Sequence, residues 1–200
     1  MQVVLNELKA SSPVTAELVT TKVNVTITCD SCFSSSLVEE QNDITSLPVL
    51  PDMQNSLNSV TISENLCGTN QWHCPLCGVL RDSTRDTEIK QTGDVFIAHL
   101  KRYSNNDGTV TKDTSVVSCI KNNRGELSIP FSLNDSVSLS NKYTLVATIN
   151  HSGTLAKGGH YWAYIRKKSE WFMCNDSMVT KVKETVLNNG TSYILFYRRS

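Results

Sequence analysis

The sequence has no charge excess of either sign: 19 Lys and Arg balance 19 Asp and Glu, so nothing in it favours nucleic acid or an anionic membrane as a partner. Long hydrophobic runs are also missing. No apolar stretch approaches the roughly 18 residues that a spanning helix needs. The N-terminus, MQVVLNELKASS, lacks a basic segment followed by an apolar one, the mark of a secretory signal. We expect a reducing compartment, cytoplasmic or nuclear. Internal repeats and low-complexity linkers are absent too. What remains is a 200-residue chain with 39% apolar and 19% charged residues, ordinary for a globular domain with a sizeable core.

Seven cysteines stand at 29, 32, 67, 74, 77, 119 and 174. An odd number argues against a fully paired disulfide framework, and four of the seven form two C-x-x-C pairs. Cys29-Asp-Ser-Cys32 and Cys74-Pro-Leu-Cys77 are separated by 41 residues. Each pair turns two thiolates toward one point, and two pairs complete the closed tetrahedral four-sulfur site typical of structural zinc. We expect one zinc ion on Cys29, Cys32, Cys74 and Cys77, with His73, beside Cys74, as a substitute ligand. A redox C-x-x-C would open a helix, and neither pair does so.

The period of the pattern changes along the chain. Residues 3–8 have helical spacing, with Val4 and Leu8 at i and i+4. From residue 23, Val23, Val25 and Ile27 alternate with polar residues, which reads as a half-buried strand. SENLCG (63–68) reads as a short helix, with Ser63 capping it and Gly68 stopping it. DVFIAHLKRYS (94–104), TLVATINH (144–151), HYWAYIR (160–166), EWFMC (170–174) and SYILFYRR (192–199) read as strands. Few helices and no strand–helix alternation imply a largely antiparallel sheet in an α+β fold.

One hairpin carries chemistry. With its turn centred on Lys168-Ser169, paired residue numbers sum to 337, so His160 lies diagonal to Asn175 on one face of the sheet. Diagonal neighbours sit about 7–8 Å apart at the backbone, within reach of two medium side chains. The Asn175 carbonyl would then accept from Nδ1–H of His160 and leave Nε2 free as a base. A slip of one residue places Asp176 opposite His160 instead, so Asp176 is the alternative orienting group. Gly158 and Gly159 permit close backbone approach just before the histidine. A nucleophile is missing from this arrangement. Cys174 faces away from Asn175, and neither Cys67 nor Cys119 has a setting that would lower a thiol pKa.

In order, two C-x-x-C pairs, FIAHLKRY (96–103), GGHYWAYIR (158–166), WFMCNDSMV (171–179) and YILFYRR (193–199) resemble the ubiquitin-specific proteases over nearly the whole chain. The resemblance implies a papain-like, hand-shaped cysteine protease fold. Residues 1–10 would be the remnant of a thumb helix, 23–90 zinc-ribbon fingers and 94–200 a palm sheet with the histidine box. It implies that His160 is the general base and Asn175 the third triad member. Asp176 would support the site, and Gly158, Gly159 and Tyr161 would contact substrate. The loop 152–159 would correspond to one that moves over the ubiquitin tail, while His99 and His151 would be structural. Ubiquitin and ubiquitinated proteins are the implied partners, with no nucleic acid and no membrane. The family's cysteine box has no counterpart here, so we expect a C-terminal fragment of a deubiquitinase that is inactive alone, or a ubiquitin-binding pseudoprotease.

Overall fold

A computed structural model describes residues 6–7, 10, 17–120, 125–134, 137–155 and 158–200. Of the helix expected over 3–8, Asn6 and Glu7 are helical and the remainder lies outside the described residues. The described chain is mostly antiparallel β-structure with few helices.

Two sheets dominate. The smaller combines β1 (Thr21–Cys29), β2 (Ser35–Asn42), β4 (Glu64–Leu66) and β7 (Ser83–Thr92) in the order β2-β1-β7-β4. The alternation of Val23 and Val25 with polar neighbours puts both valines inside, as a half-buried strand requires. Beyond it, β5 (Trp72–Cys74) and β6 (Val79–Arg81) form a separate short hairpin.

Among the described residues the larger sheet contains eight strands. It runs β15 (Met178–Val182), β14 (Glu170–Asn175), β13 (His160–Lys167), β12 (Val137–Ser152), β16 (Ser192–Arg199), β8 (Val95–Leu100) and β3 (Thr45–Leu47). β11 (Glu126–Asn134) pairs with the first half of β12, and β3 pairs with β8 in parallel while its fellows are antiparallel. The main core lies on one face, where Phe96, Leu100, Leu145, Trp171, Leu195 and Tyr197 pack under α1 (Met53–Asn58) and β11. A smaller cluster of Val19 and Ile97, flanked by Ile194 and Phe196, covers part of the other.

Two sequence expectations are corrected. SENLCG is not a helix: residues 64–66 form β4 against β7, and Glu64 pairs with Arg85 across the strands at 3.3 Å. Ser63 bonds Asp86 on β7 rather than capping anything. A segment this short gains little from helix formation on its own, whereas the open edge of β7 supplies hydrogen bonds at once. The long strand proposed over 94–104 divides after Leu100. There Lys101 N–H turns to the Leu47 carbonyl, Arg102 enters the core, and β9 (Tyr103–Asn106) starts a hairpin with β10 (Thr109–Lys112). Asp107 and Gly108, both left-handed, make its turn.

Candidate active site and metal centre

The hairpin β13–β14 has the register expected from its turn. Lys167 pairs with Glu170, Tyr164 with Met173 and Ala163 with Cys174, all summing to 337. Lys168 takes the left-handed conformation at the turn, with φ 57°. At the far end Asn175 is the last ladder residue of β14, pairing with Met178, and Asp176 (φ 51°) and Ser177 make the next tight turn. Asparagine and aspartate tolerate that conformation better than most residues, which suits the Asn-Asp-Ser sequence to a turn there.

This register brings His160 and Asn175 together. His160 Nε2 lies 2.6 Å from Asn175 Oδ1. Since the amide oxygen only accepts, Nε2 carries the hydrogen and Nδ1 keeps the lone pair. The identity of the nitrogen corrects the sequence expectation, in which Nδ1 faced the asparagine. The alternation of side chains placed the two residues on one face, but the ring rotation depends on the packing around it. The imidazole lies nearly parallel to Trp162, two residues along the strand, with centroids 6.0 Å apart and planes 21° apart. Asp176 sits on the turn, and the one-residue slip that would have put it opposite His160 does not occur.

The other sequence candidates flank this dyad. Gly158 and Gly159 are exposed and immediately precede His160; Gly159 has φ +143°, a backbone open to glycine alone. Tyr161 is 45% exposed and lies on the opposite face of the sheet, its ring 4.3 Å from that of His151. His99 contacts Ser46 Oγ through Nδ1 at 3.2 Å and packs edge-on against Tyr193.

No cysteine of the chain is arranged as a nucleophile for His160. Cys174 points to the other face, paired with Ala163 and Val179. Cys67 is exposed beside β4 in the smaller sheet. Cys119 is buried near Val117 and Ser192, and burial pushes its thiol up to about 11, against a smaller lowering by the Ser192 hydroxyl. At neutral pH roughly one in 10,000 such thiols is ionised, too few for a thiolate attack.

The remaining four cysteines form a cluster. Their sulfurs lie within 4.8 Å of one another, and none is in a disulfide. A tetrahedral metal–sulfur bond of about 2.3 Å gives sulfur–sulfur edges of about 3.8 Å, so the donor set fits one ion. Each pair sits at the turn of a hairpin, β1–β2 for Cys29 and Cys32 and β5–β6 for Cys74 and Cys77. The two turns are built alike. Phe33 N–H donates to the Cys29 carbonyl and Gly78 N–H to the Cys74 carbonyl, each at 2.9 Å, and both donors are left-handed. Ser34 Oγ stands 3.1 Å from Cys32 and 3.4 Å from Cys74. Its hydroxyl lowers both thiols, Cys74 to about 6, while the neighbouring thiols, Cys32 first, push Cys77 up to about 12. A bound dication would favour the thiolate form of all four. His73 is exposed and stands outside the cluster.

With this geometry in hand, comparison with known proteins identifies the family. The family described as "Ubiquitin carboxyl-terminal hydrolase" matches residues 3–197. The chain belongs to the ubiquitin carboxyl-terminal hydrolase family. It is 31% identical over 180 residues to ubiquitin carboxyl-terminal hydrolase 22 of Bos taurus, covering 82% of this chain and 34% of that protein. Identity to ubiquitin carboxyl-terminal hydrolase 51 of Mus musculus is also 31%, over 162 residues, covering 76% of this chain and 24% of that one. Among solved structures, the SAGA Ubp8/Sgf11/Sus1/Sgf73 DUB module bound to ubiquitin aldehyde matches 98% of this chain and 44% of its own, with TM-score 0.77 and 22% identity. A second structure of a SAGA Ubp8/Sgf11/Sus1/Sgf73 DUB module gives a TM-score of 0.81 at 22% identity, over 100% of this chain and 49% of its own. These two likenesses establish the fold. The chain spans about a third of the first of these curated relatives and about a quarter of the second.

Among the described residues no helix is long and apolar enough to cross a membrane. Sequence reasoning overlooked Tyr103 and Lys112, which reach His151 from the β9–β10 hairpin. The one signal for them was the tyrosine that closes FIAHLKRY; a lysine 39 positions from its partner leaves none.

Proposed function

We propose that this chain supplies the general base and its orienting residue to a thiol-dependent deubiquitinase. The reaction is hydrolysis of the bond between the C-terminal glycine of ubiquitin and a lysine side chain. The observation that supports this reading is the 2.6 Å contact between His160 Nε2 and Asn175 Oδ1, in a chain of this family. The nucleophilic cysteine comes from outside the chain's own seven. Its thiolate adds to the glycine carbonyl, and the imidazolium of His160 gives its Nδ1 proton to the leaving amine as the C–N bond breaks. Neutral His160 then takes a proton from water as the water attacks the thioester, and the thiolate leaves. Asn175 holds the ring by accepting from Nε2–H throughout, and Asp176 sets the turn that ends its strand.

Ubiquitin, free or attached to a protein, is the partner, seated between the cysteine-cluster sheet and the eight-stranded sheet. Zinc on Cys29, Cys32, Cys74 and Cys77 clips the two turns together. A closed four-sulfur site has no open position, so this ion contributes structure rather than a bound nucleophile.

Acting alone, the chain binds ubiquitin without cleaving it. The deciding experiment measures binding of the purified chain to ubiquitin and its turnover of a ubiquitin–amide reporter. Binding without turnover is the expected result. Turnover abolished by His160→Ala would overturn the assignment of an external nucleophile, and absence of ubiquitin binding would overturn the partner.

A further inference from the structure

The face of the large sheet opposite His160 holds a cluster of polar groups for which the chemistry above has no use. His151, wholly buried near the end of β12, lies across from Tyr161. Its Nδ1 is 2.8 Å from the Tyr103 hydroxyl and 3.2 Å from Lys112 Nζ. The same ammonium donates to the carbonyls of His151 at 2.8 Å and Gly153 at 3.1 Å. Tyr103 and Lys112 face each other across the β9–β10 hairpin, so one small element delivers both groups.

The donors decide the state of the ring. An ammonium has only protons to give, so Nδ1 is the accepting nitrogen and the hydrogen is on Nε2. Burial, and then the charge of Lys112, lowers the His151 pKa and keeps the ring neutral; the Gly158 carbonyl acts on it more weakly in the opposite direction. Nε2 is buried without a hydrogen bond of good geometry.

Against that nitrogen lies the backbone of Gly159. A Cβ there would stand 2.4 Å from His151 Nε2 and 2.1 Å from the Ser152 carbonyl oxygen, closer than any side chain permits. Gly153, at φ +124°, is equally confined: a Cβ would meet the Gly158 oxygen at 2.8 Å and Gly159 Cα at 2.9 Å. The two ends of the 152–159 segment therefore touch at a neck with the His151 ring packed against it. His160 is the next residue out of that neck.

We propose that His151, held by Tyr103 and Lys112, is a positioning residue that fixes this neck and through it the placement of His160 against Asn175. The inference rests on the reading of His160 as the base. Buried side chains usually pack without steering a neighbour's chemistry. This one differs because its edge abuts the peptide that carries His160, and its other nitrogen is tied to a charged group on a separate hairpin.

The test uses the full chain with nitrogen-15-labelled histidine. In long-range proton–nitrogen spectra His151 is expected as the neutral Nε2–H form at pH 7. Lys112→Met should displace the His160 ring nitrogen signals and speed amide exchange at Gly159 and His160 by about tenfold. Lys112→Arg should restore most of both effects, while amides at Cys29–Phe33 stay unchanged in either variant. If Lys112→Met does not fold, Tyr103→Phe is read in the same two ways. A folded variant whose His160 signals and exchange match the wild type would overturn the proposal. Neither readout needs ubiquitin or turnover. The positioning role can thus fail while the deubiquitinase reading stands, and the reverse.

Discussion

His160 and Asn175 meet through Nε2 and Oδ1 at 2.6 Å, across strands whose turn lies eight residues beyond the histidine. The pair leaves Nδ1 as the nitrogen free to exchange a proton with a reacting group. Because both side chains are partly exposed, the contact orients the ring more than it stabilises the fold.

Asn175→Ala is expected to release the ring and shift the ratio of its tautomers away from the Nε2–H form that the Asn175 contact holds in the wild type. Ring nitrogen shifts in labelled protein measure the ratio. The loss of stability should be no more than about 1 kcal/mol. Asp176→Asn, on the turn, should leave the ratio unchanged; an Asp176 effect as large as that of Asn175 would reverse the two roles.

The purified chain is expected to carry about one zinc. Replacing Cys29 and Cys74 together by serine should reduce this to near zero and lower the melting temperature, because ion binding is linked to folding of the two hairpin turns. Elemental analysis and thermal melts check both. Metal content unchanged in the double variant would rule out a shared site.

Arg102 is 1% exposed, and its guanidinium donates to the carbonyls of Ser192, Asp113 and Ser115 at 2.6–3.0 Å. Arg102→Leu leaves three carbonyl groups without their charged donor. A loss of at least about 3 kcal/mol is expected, since each bond from a charged group contributes about 1.5–3 kcal/mol. Urea unfolding measures it.

The chain should lose stability on mild acidification. Burial first, and then Lys101, lowers the pKa of His99; burial first, and then Lys112, lowers that of His151. A depressed histidine binds fewer protons folded than unfolded, so its contribution is full above the unfolded value of 6.5 and is lost as pH falls through and below it. Urea midpoints at pH 7.5 should exceed those at pH 5.5. His99→Gln should flatten the dependence, and an unchanged slope would show that His99 binds as many protons in the folded chain as in the unfolded one.

Local rules made much of this molecule legible from its residues. The turn at Lys168-Ser169 and the two-residue period of the strands were enough to place His160 and Asn175 on one face, because an antiparallel register has one free integer and the turn supplies it. The spacing within each C-x-x-C was likewise enough to foresee four converging sulfurs. Where competing structures were both locally allowed, the sequence misled: residues 64–66 joined the edge of β7 because that edge was open, which their own composition does not record.

Contacts between distant segments were decided only by the tertiary structure. The rotation of the His160 ring depends on Trp162 beneath it and on where the Asn175 amide arrives. Arg102, read as part of an ordinary strand, became a buried tie to a carbonyl 90 positions away. Tyr103 and Lys112 reach His151 over 48 and 39 positions. Periodicity and turn chemistry act over a few residues, so the sequence by itself determined strands, faces and the two cysteine turns. Which buried polar groups meet depends on how sheet and hairpin pack together, and the sequence pattern of neither segment records it.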